Sequence, residues 1–446
     1  MSAPSRHVPS PSGKALYPVL RGGRQSSSPE QNAFHQRARL QGAIVAAVAK
    51  YGYAAMTVTQ VVSLAGVSRT TFYKHFSDKE GCFLATYDLI AAIATERISR
   101  AYRTPTDWQQ RLRAAFQVFA EIIVDERDAA HLVLVDALGA GHRVLEHRER
   151  ITATFETMLR QSFDAAPQRA LVTDTTIRAV VSGIRRVAYR RLLNDEPEQL
   201  NNVLEDLLAW AVGYHAPGVQ PPLRPATTSA EEVQLGQTLK DTTIPALDIA
   251  TARKTLTLRE RVQHSIVSLA SEGGYGALSI PTITARAGTS NEAFYANYTN
   301  KQQAFLAIFQ EATKRALTPA IEAFQNAPTW PQAVHDTIAT LLTYTAQDPI
   351  FARLAFFEVL TGGPPAIQLA EQNLDTVATM FAPGHKAHPK VPSVVAEAIT
   401  GGLWNVIQYE LGHGRAAELP QLAPELTYIA LAPFLGAKEA AKIAKG

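Results

Sequence analysis

The chain has 446 residues, enough for two or three domains of ordinary size. With 46% hydrophobic and 19% charged residues it has ample apolar side chain for a core, and a net charge of +3 excludes binding to nucleic acid through bulk charge alone. Any nucleic-acid site has to be a local patch. The single cysteine, Cys82, excludes internal disulfides and a cysteine-rich zinc site. Apolar runs such as 43–49 fall far short of the ~20 residues that span a bilayer. The N-terminus lacks the apolar stretch of a secretory signal, so no membrane partner and a cytoplasmic location are expected.

Residues 1–34 are rich in Ser, Pro, Gly and Arg, and their Arg6, Lys14, Arg21 and Arg24 outweigh Glu30; they read as a disordered basic arm. In the next block Leu40, Ile44 and Val48 line one helix face. Val58, Val61, Val62 and Ala65 follow at helical spacing, with Thr57 at the N-cap position. Gly66 breaks that helix, and Ser68 caps a short one running to about His75. Ser77-Asp78-Lys79-Glu80 opens a long helix to about Arg103. Further helices are expected near 106–125, 127–138, 143–164, 173–194 and 197–213. A Pro- and Thr-rich linker covers 217–252.

The block after the linker repeats the first. At an offset of 222 residues, positions 42–85 align with 264–307 without a gap, and 14 of those 44 positions are identical. Gly52-Tyr53 falls on Gly274-Tyr275, Ala65-Gly66 on Ala287-Gly288, and Phe72-Tyr73 on Phe294-Tyr295. The register still pairs Trp108 with Trp330. After a slip to an offset of 219 it pairs Gly183 with Gly402. The expected fold is all-α, in two repeated units. Their parts are a first DNA-binding-type head at 35–85, a first helical domain at 86–216, a second head at 253–307 and a second helical domain at 308–446.

Helix, glycine turn, short helix is the layout of a helix-turn-helix, whose second helix fits a major groove. Val58, Val61, Val62, Val67 and Phe72 face inward, while Arg69, Thr70, Thr71, Tyr73, Lys74 and His75 include the outward positions. Those polar types reach base edges and phosphates. Residues 36–80 carry six cations against two acids, a local net charge of +4.

The string S-R-T-T-F-Y-K-H-F-S-D-K-E (68–80), preceded by T-V-T-Q-V-V-S-L-A-G-V (57–67), resembles the DNA-binding domain of TetR/AcrR-type transcriptional regulators. The resemblance covers about 36–215 and, more weakly, 257–436. It implies a three-helix DNA-binding domain, followed by a larger helical domain that binds a small ligand and dimerises through its last helices. By position it makes Arg69, Thr70 and Thr71 base readers, and Thr57, Ser68, Tyr73, His75 and Lys79 phosphate contacts. Lys74 joins the same DNA-facing set.

The second unit departs from this pattern on its DNA-facing side. Asn291 replaces Arg69, Glu292 replaces Thr70, Ala296 replaces Lys74 and Asn297 replaces His75, and residues 258–302 net only +1. Its corresponding site residues are Ser279, Ser290, Asn291, Glu292, Tyr295, Asn297 and Lys301. Asn291 could pair with adenine and Glu292 could accept from cytosine, or the second head could have lost DNA binding.

Trp108, Phe116, Phe119 and Phe155 are candidates for lining an effector pocket, against the reading of ordinary core. The region 105–190 is favoured over 327–410 because it adjoins the stronger DNA motif. Cys82 reads as a small buried hydrophobe. His142, Glu146 and His147 read as a solvated helix face, so no metal and no cofactor are expected. No catalytic motif is present in the sequence, so no enzyme is expected.

The resulting expectation is a regulator of double-stranded promoter DNA, a repressor relieved by a small-molecule effector. The rival is a protein of this fold that has lost DNA regulation and serves as a small-molecule binding or interaction module. The late helices differ in charge at equivalent positions, with Arg178 matching Glu397 and Arg191 matching Glu410. An intramolecular pseudo-dimer of the two units is therefore expected.

Overall fold

The computed structural model describes residues 28–141, 143–224 and 244–445, and all regular elements among them are helical. Helix α1 (Pro29–Ala55) starts inside the stretch read as an arm. Ser28 accepts from the Gln31 backbone while the Gln31 side chain caps Ser28, and Pro29 occupies the first turn. The Ser-Pro composition is thus a helix start, and the proposed arm beyond it, 1–27, lies outside the described residues. Then come α2 (Val58–Ala65), α3 (Arg69–His75), α4 (Lys79–Arg103), α5 (Trp108–Asp125) and α6 (Arg127–Leu134). Helices α7 (Arg143–Asp164), α8 (Asp174–Leu193) and α9 (Leu204–Val212) complete the first repeat.

The second repeat opens with α10 (Ile249–Thr255), capped by Asp248, so the linker ends sooner than expected. It continues with α11 (Leu258–Gly273), α12 (Ile280–Ala287), α13 (Asn291–Tyr295), α14 (Lys301–Asn326) and α15 (Trp330–Gln347). After α16 (Pro349–Arg353) the chain makes one π-helical turn over Leu354–Glu358. Then follow α17 (Pro364–Ala378), α18 (Ser393–Gly412) and α19 (Ala423–Leu435).

The compact units do not coincide with the repeats. One comprises residues up to 140 with 188–204; the other comprises 141–187 with 205–446. In the first unit Leu40, Ile44, Val45, Phe72, Phe83 and Tyr87 form a buried core. Cys82 is fully buried there, and burial pushes its thiol up to about 12, so it packs as a small hydrophobe.

The second unit contains a close helix crossing. A Cβ placed on Gly183 of α8 would lie 2.4 Å from the Ala398 carbonyl oxygen of α18. A Cβ on Gly402 would lie 2.4 Å from the Ala179 carbonyl oxygen. Gly183 and Gly402 are equivalent at the 219-residue offset, and so are Ala179 and Ala398, so the two contacts are reciprocal. Ser182 Oγ donates to Asn405 Oδ1 at 2.6 Å, while the stem of Arg186 lies against Gly401, the equivalent pair in reverse. Helix α9 joins the same core: Trp210 Nε1 donates to Tyr214 Oη, which donates to the Ile429 carbonyl of α19 at 2.8 Å.

The charge pairs here are not those anticipated from register. Arg178 bonds Glu149 at 2.5 Å and Glu156 at 3.0 Å, with its guanidinium 3.4 Å from the Tyr409 ring centroid. Glu410 accepts from Arg224 at 2.9 Å and from Arg415 at 2.6 Å. Arg186 pairs with Glu371. Helix α7 supplies Glu149 and Glu156, the 214–224 segment Arg224, α17 Glu371 and the turn after α18 Arg415, and helical register alone does not reveal them.

Candidate nucleic-acid interface

The first head is built by caps and one glycine turn. Thr57 and Gln60 form a capping box at the start of α2, and Val61, Val62 and Ala65 bury its inner face. Gly66 ends it in the left-handed conformation, with φ +61°, which favours glycine. Its carbonyl accepts from Arg39 Nη2 at 3.0 Å, tying the turn to α1. Ser68 then caps α3 by accepting from the Thr71 backbone at 3.0 Å. Phe72 is fully buried and fixes the rotation of α3.

That rotation leaves Arg69, Thr70, Tyr73 and Lys74 exposed, while Thr71 and His75 are half-buried. Thr57 and Ser68 reach the surface but already serve as caps. His75 Nε2 lies 3.3 Å from Gln36 Oε1. Burial, then the charges of Arg37 and Lys74, hold its pKa below the usual histidine value, so the ring is neutral at neutral pH. Lys79 differs most from expectation. Its ammonium donates to the Tyr53 carbonyl at 3.0 Å and the Met56 carbonyl at 3.2 Å, and it lies 4.5 Å from the Tyr53 ring centroid. Two of its three N–H donors fasten the end of α1, leaving one for a phosphate.

The second head reproduces the scaffold and changes the face. Ser279 caps α12, Gly288 ends it at φ +61°, Ser290 caps α13 and Phe294 is fully buried. Arg261 donates to the Ala287 carbonyl at 3.1 Å, the counterpart of Arg39. Lys301 donates to the Leu278 carbonyl at 2.9 Å, beneath Tyr275, the counterpart of Lys79. Asn291 Oδ1 accepts from Thr284 Oγ1 at 2.8 Å, and Asn297 Nδ2 donates to the Ala293 carbonyl. Both amides therefore have intradomain partners. Glu292 and Tyr295 are exposed, and α13 ends at Tyr295, two residues before the position matching the end of α3.

The clamps of Arg39 and Arg261 escaped sequence reasoning. One signal was available: Lys79/Lys301 and Arg39/Arg261 persist between the repeats while the DNA-facing positions drift. That pattern belongs to residues that hold the head together.

The four aromatic residues expected around a pocket do not share one compact unit: Trp108, Phe116 and Phe119 belong to the first and Phe155 to the second. A cavity of about 120 Å³ lies in the second repeat's helical domain, lined among others by Phe309, Leu342, Phe356, Leu374, Trp404 and Ile407. None of the four lines it. Among the described residues no group of three or more His, Cys, Asp or Glu is placed to hold a metal ion; His142 lies outside them. No helix of the described residues is long and apolar enough to cross a membrane.

Two capped helix-turn-helix heads, each followed by further helices, are the architecture of DNA-binding regulators. The family described as bacterial regulatory proteins, tetR family, matches residues 43–86 and again 264–308, the two heads. The chain thus carries the DNA-binding domain of TetR-type transcriptional regulators twice, in tandem. It is 27% identical over 173 residues to the HTH-type transcriptional activator FasR of Mycolicibacterium smegmatis, covering 37% of this chain and 77% of that protein. A crystal structure of a transcriptional regulator from Pseudomonas aeruginosa PAO1 matches with a TM-score of 0.35 at 21% identity, over 43% of this chain and 95% of that one.

Proposed function

We propose that the chain reads promoter DNA mainly through its first head, with Arg69, Thr70, Thr71 and Tyr73 at base edges or the adjoining backbone and Lys74 on phosphate. The observation that carries this is the exposed tip of α3, where Arg69, Thr70, Tyr73 and Lys74 stand clear of a rigidly capped helix. The second head contributes weakly, because Asn291 and Asn297 are occupied internally and Glu292 repels phosphate. Selecting bound sequences from a random DNA pool with the full chain tests the reading. A defined motif supports it, and a pool that stays random overturns it in favour of a binding module without DNA regulation.

The two repeats pair within one chain as a pseudo-dimer. The reciprocal contacts at Gly183 and Gly402 support this, since equivalent residues meet across a two-fold axis. The operator is then imperfectly palindromic, and light scattering finds one chain per particle, free and on DNA.

Binding of a small-molecule effector in a helical domain shifts the heads toward a spacing that no longer fits successive grooves. The protein acts as a repressor in this reading, in the cytoplasm and without catalysis. One observation favours activation instead: the relative from Mycolicibacterium smegmatis is named an activator. Transcription from a promoter bearing the selected motif, with and without the protein, separates the two.

A further inference from the structure

The residues that line the cavity of the second repeat include no charged side chain. Its lining is aliphatic and aromatic except for four threonines and Asn373. Those hydroxyls are engaged: Thr337 donates to the Ala333 carbonyl, Thr345 to Leu341 and Thr400 to Ala396, while Thr313 accepts from Asn373 Nδ2. The threonines therefore satisfy their hydroxyls against protein groups around the space. An ionised ligand would be stripped of water there with no counter-charge among the lining residues, a large cost, whereas an apolar one gains from burial.

One wall of the cavity is the π-helical turn. Ala355 and Phe356 line the space, and Phe356 stacks on Trp404 with ring centroids 5.6 Å apart. A π turn is an irregular register that recurs at functional sites. Two polar ties leave this turn in different directions. The Phe356 carbonyl accepts from Gln408 Nε2 of α18 at 2.5 Å, and Gln408 Oε1 accepts from Arg148 of α7, in the first repeat. Arg353, at the start of the turn, bonds Glu358 at 2.8 Å and donates to the Ser271 carbonyl at 3.3 Å, in the last turn of α11 of the second head. Both Arg353 and Glu358 are buried, so the tie works at low dielectric, where an ion pair is stiff.

We propose that the second repeat is a sensing part of the molecule. Its cavity takes an uncharged, predominantly apolar small molecule, and occupancy shifts the π turn, which acts on the second head through Arg353 and on the first repeat through Gln408. This rests on the reading of the chain as an effector-controlled DNA-binding regulator.

The test uses the full chain with decan-1-ol, decanoate and decylamine as matched neutral, anionic and cationic probes. Decan-1-ol is expected to raise the melting temperature and quench tryptophan fluorescence, with the quench lost in Trp404→Phe. Binding of the two ions should be weaker by about tenfold or more. Filling the space with Ala370→Trp or, independently, Ala355→Leu should abolish the response to the alcohol. Hydrogen exchange at residues 268–273 should change when the alcohol binds, and Arg353→Lys should keep alcohol binding but lose that change. If Arg353→Lys does not fold, the exchange measurement on the unaltered chain decides the relay. Equal or tighter binding of either ion overturns the ligand class. Alcohol binding that persists in both filled variants overturns the site, and unchanged exchange overturns the relay. Failure of any of these leaves the DNA-selection result standing, whereas failure of that selection overturns the regulatory reading itself.

Discussion

Replacing Gly402 by alanine tests the helix crossing directly. In an ordinary helix the change would stabilise, since alanine is favoured over glycine by ~1 kcal/mol in a helix interior. Here the added methyl would stand 2.4 Å from the Ala179 carbonyl oxygen and 3.0 Å from its carbonyl carbon, both backbone atoms of α8. No side-chain rotation relieves that clash, so the helices must part. Overpacking of this kind costs ~1–3 kcal/mol. The net expectation is a loss of roughly 1–2 kcal/mol after the helix-propensity gain is subtracted. Gly183→Ala should behave alike, and the double variant should lose less than the sum, because the first methyl has already moved the helices. Gly81→Ala is the control: its methyl would meet only Ser77 Oγ at 3.3 Å and Asp78 Oδ1 at 3.4 Å, so it should be neutral or slightly stabilising. Urea and thermal unfolding of the four proteins give the comparison. If Gly402→Ala proves as stable as Gly81→Ala, the close crossing of α8 and α18 is refuted.

Arg69→Ala should relax preference at one base position per half-site and lose ~1–3 kcal/mol of discrimination there, read by selection from a random pool. Lys74→Ala should lower the slope of log affinity against log salt by about one. Lys79→Met should instead destabilise the first head by ~1–3 kcal/mol, the worth of charged hydrogen bonds to backbone, with a smaller change in salt slope. Glu156 is raised to about 7, chiefly by burial and against the pull of Arg178. A carboxyl raised on folding stabilises fully below its unfolded value and loses that contribution as pH rises through about 7. Glu156→Gln should therefore flatten the stability profile between the ordinary glutamate value of 4.5 and about 7, measured by unfolding across that range.

Helical periodicity carried most of this fold because local spacing decides helices: Val58, Val61, Val62 and Ala65 mark the inner face of α2 whatever surrounds them. Helix α3 was legible for the same reason, since Ser68, Gly66 and Phe72 fix its start, turn and rotation. Lys79 was not, because a lysine in a first helical turn looks solvated until the carbonyls of Tyr53 and Met56 come into reach. The cavity was hidden too, since Phe356 and Trp404 show the same spacing whether they fill a core or line a space. Arg178 found Glu149 and Glu156 on α7, a choice made by helix packing and not by repeat register.

The crossing of α8 and α18 also bears on how a fused pair escapes the constraint of symmetry. In two identical chains a change at the axis appears on both sides at once, so each residue must suit its own copy. Here the equivalent positions 182 and 401 hold Ser and Gly, and 186 and 405 hold Arg and Asn. On one side Ser182 bonds Asn405; on the other the Arg186 stem fills the notch at Gly401. Two copies of α8 would set Arg186 against Ser182 twice, with no notch for the stem, and two copies of α18 would leave Asn405 facing Gly401 without a hydroxyl. With the repeats paired as proposed above, each surface complements the other better than itself, which disfavours exchange of halves between chains.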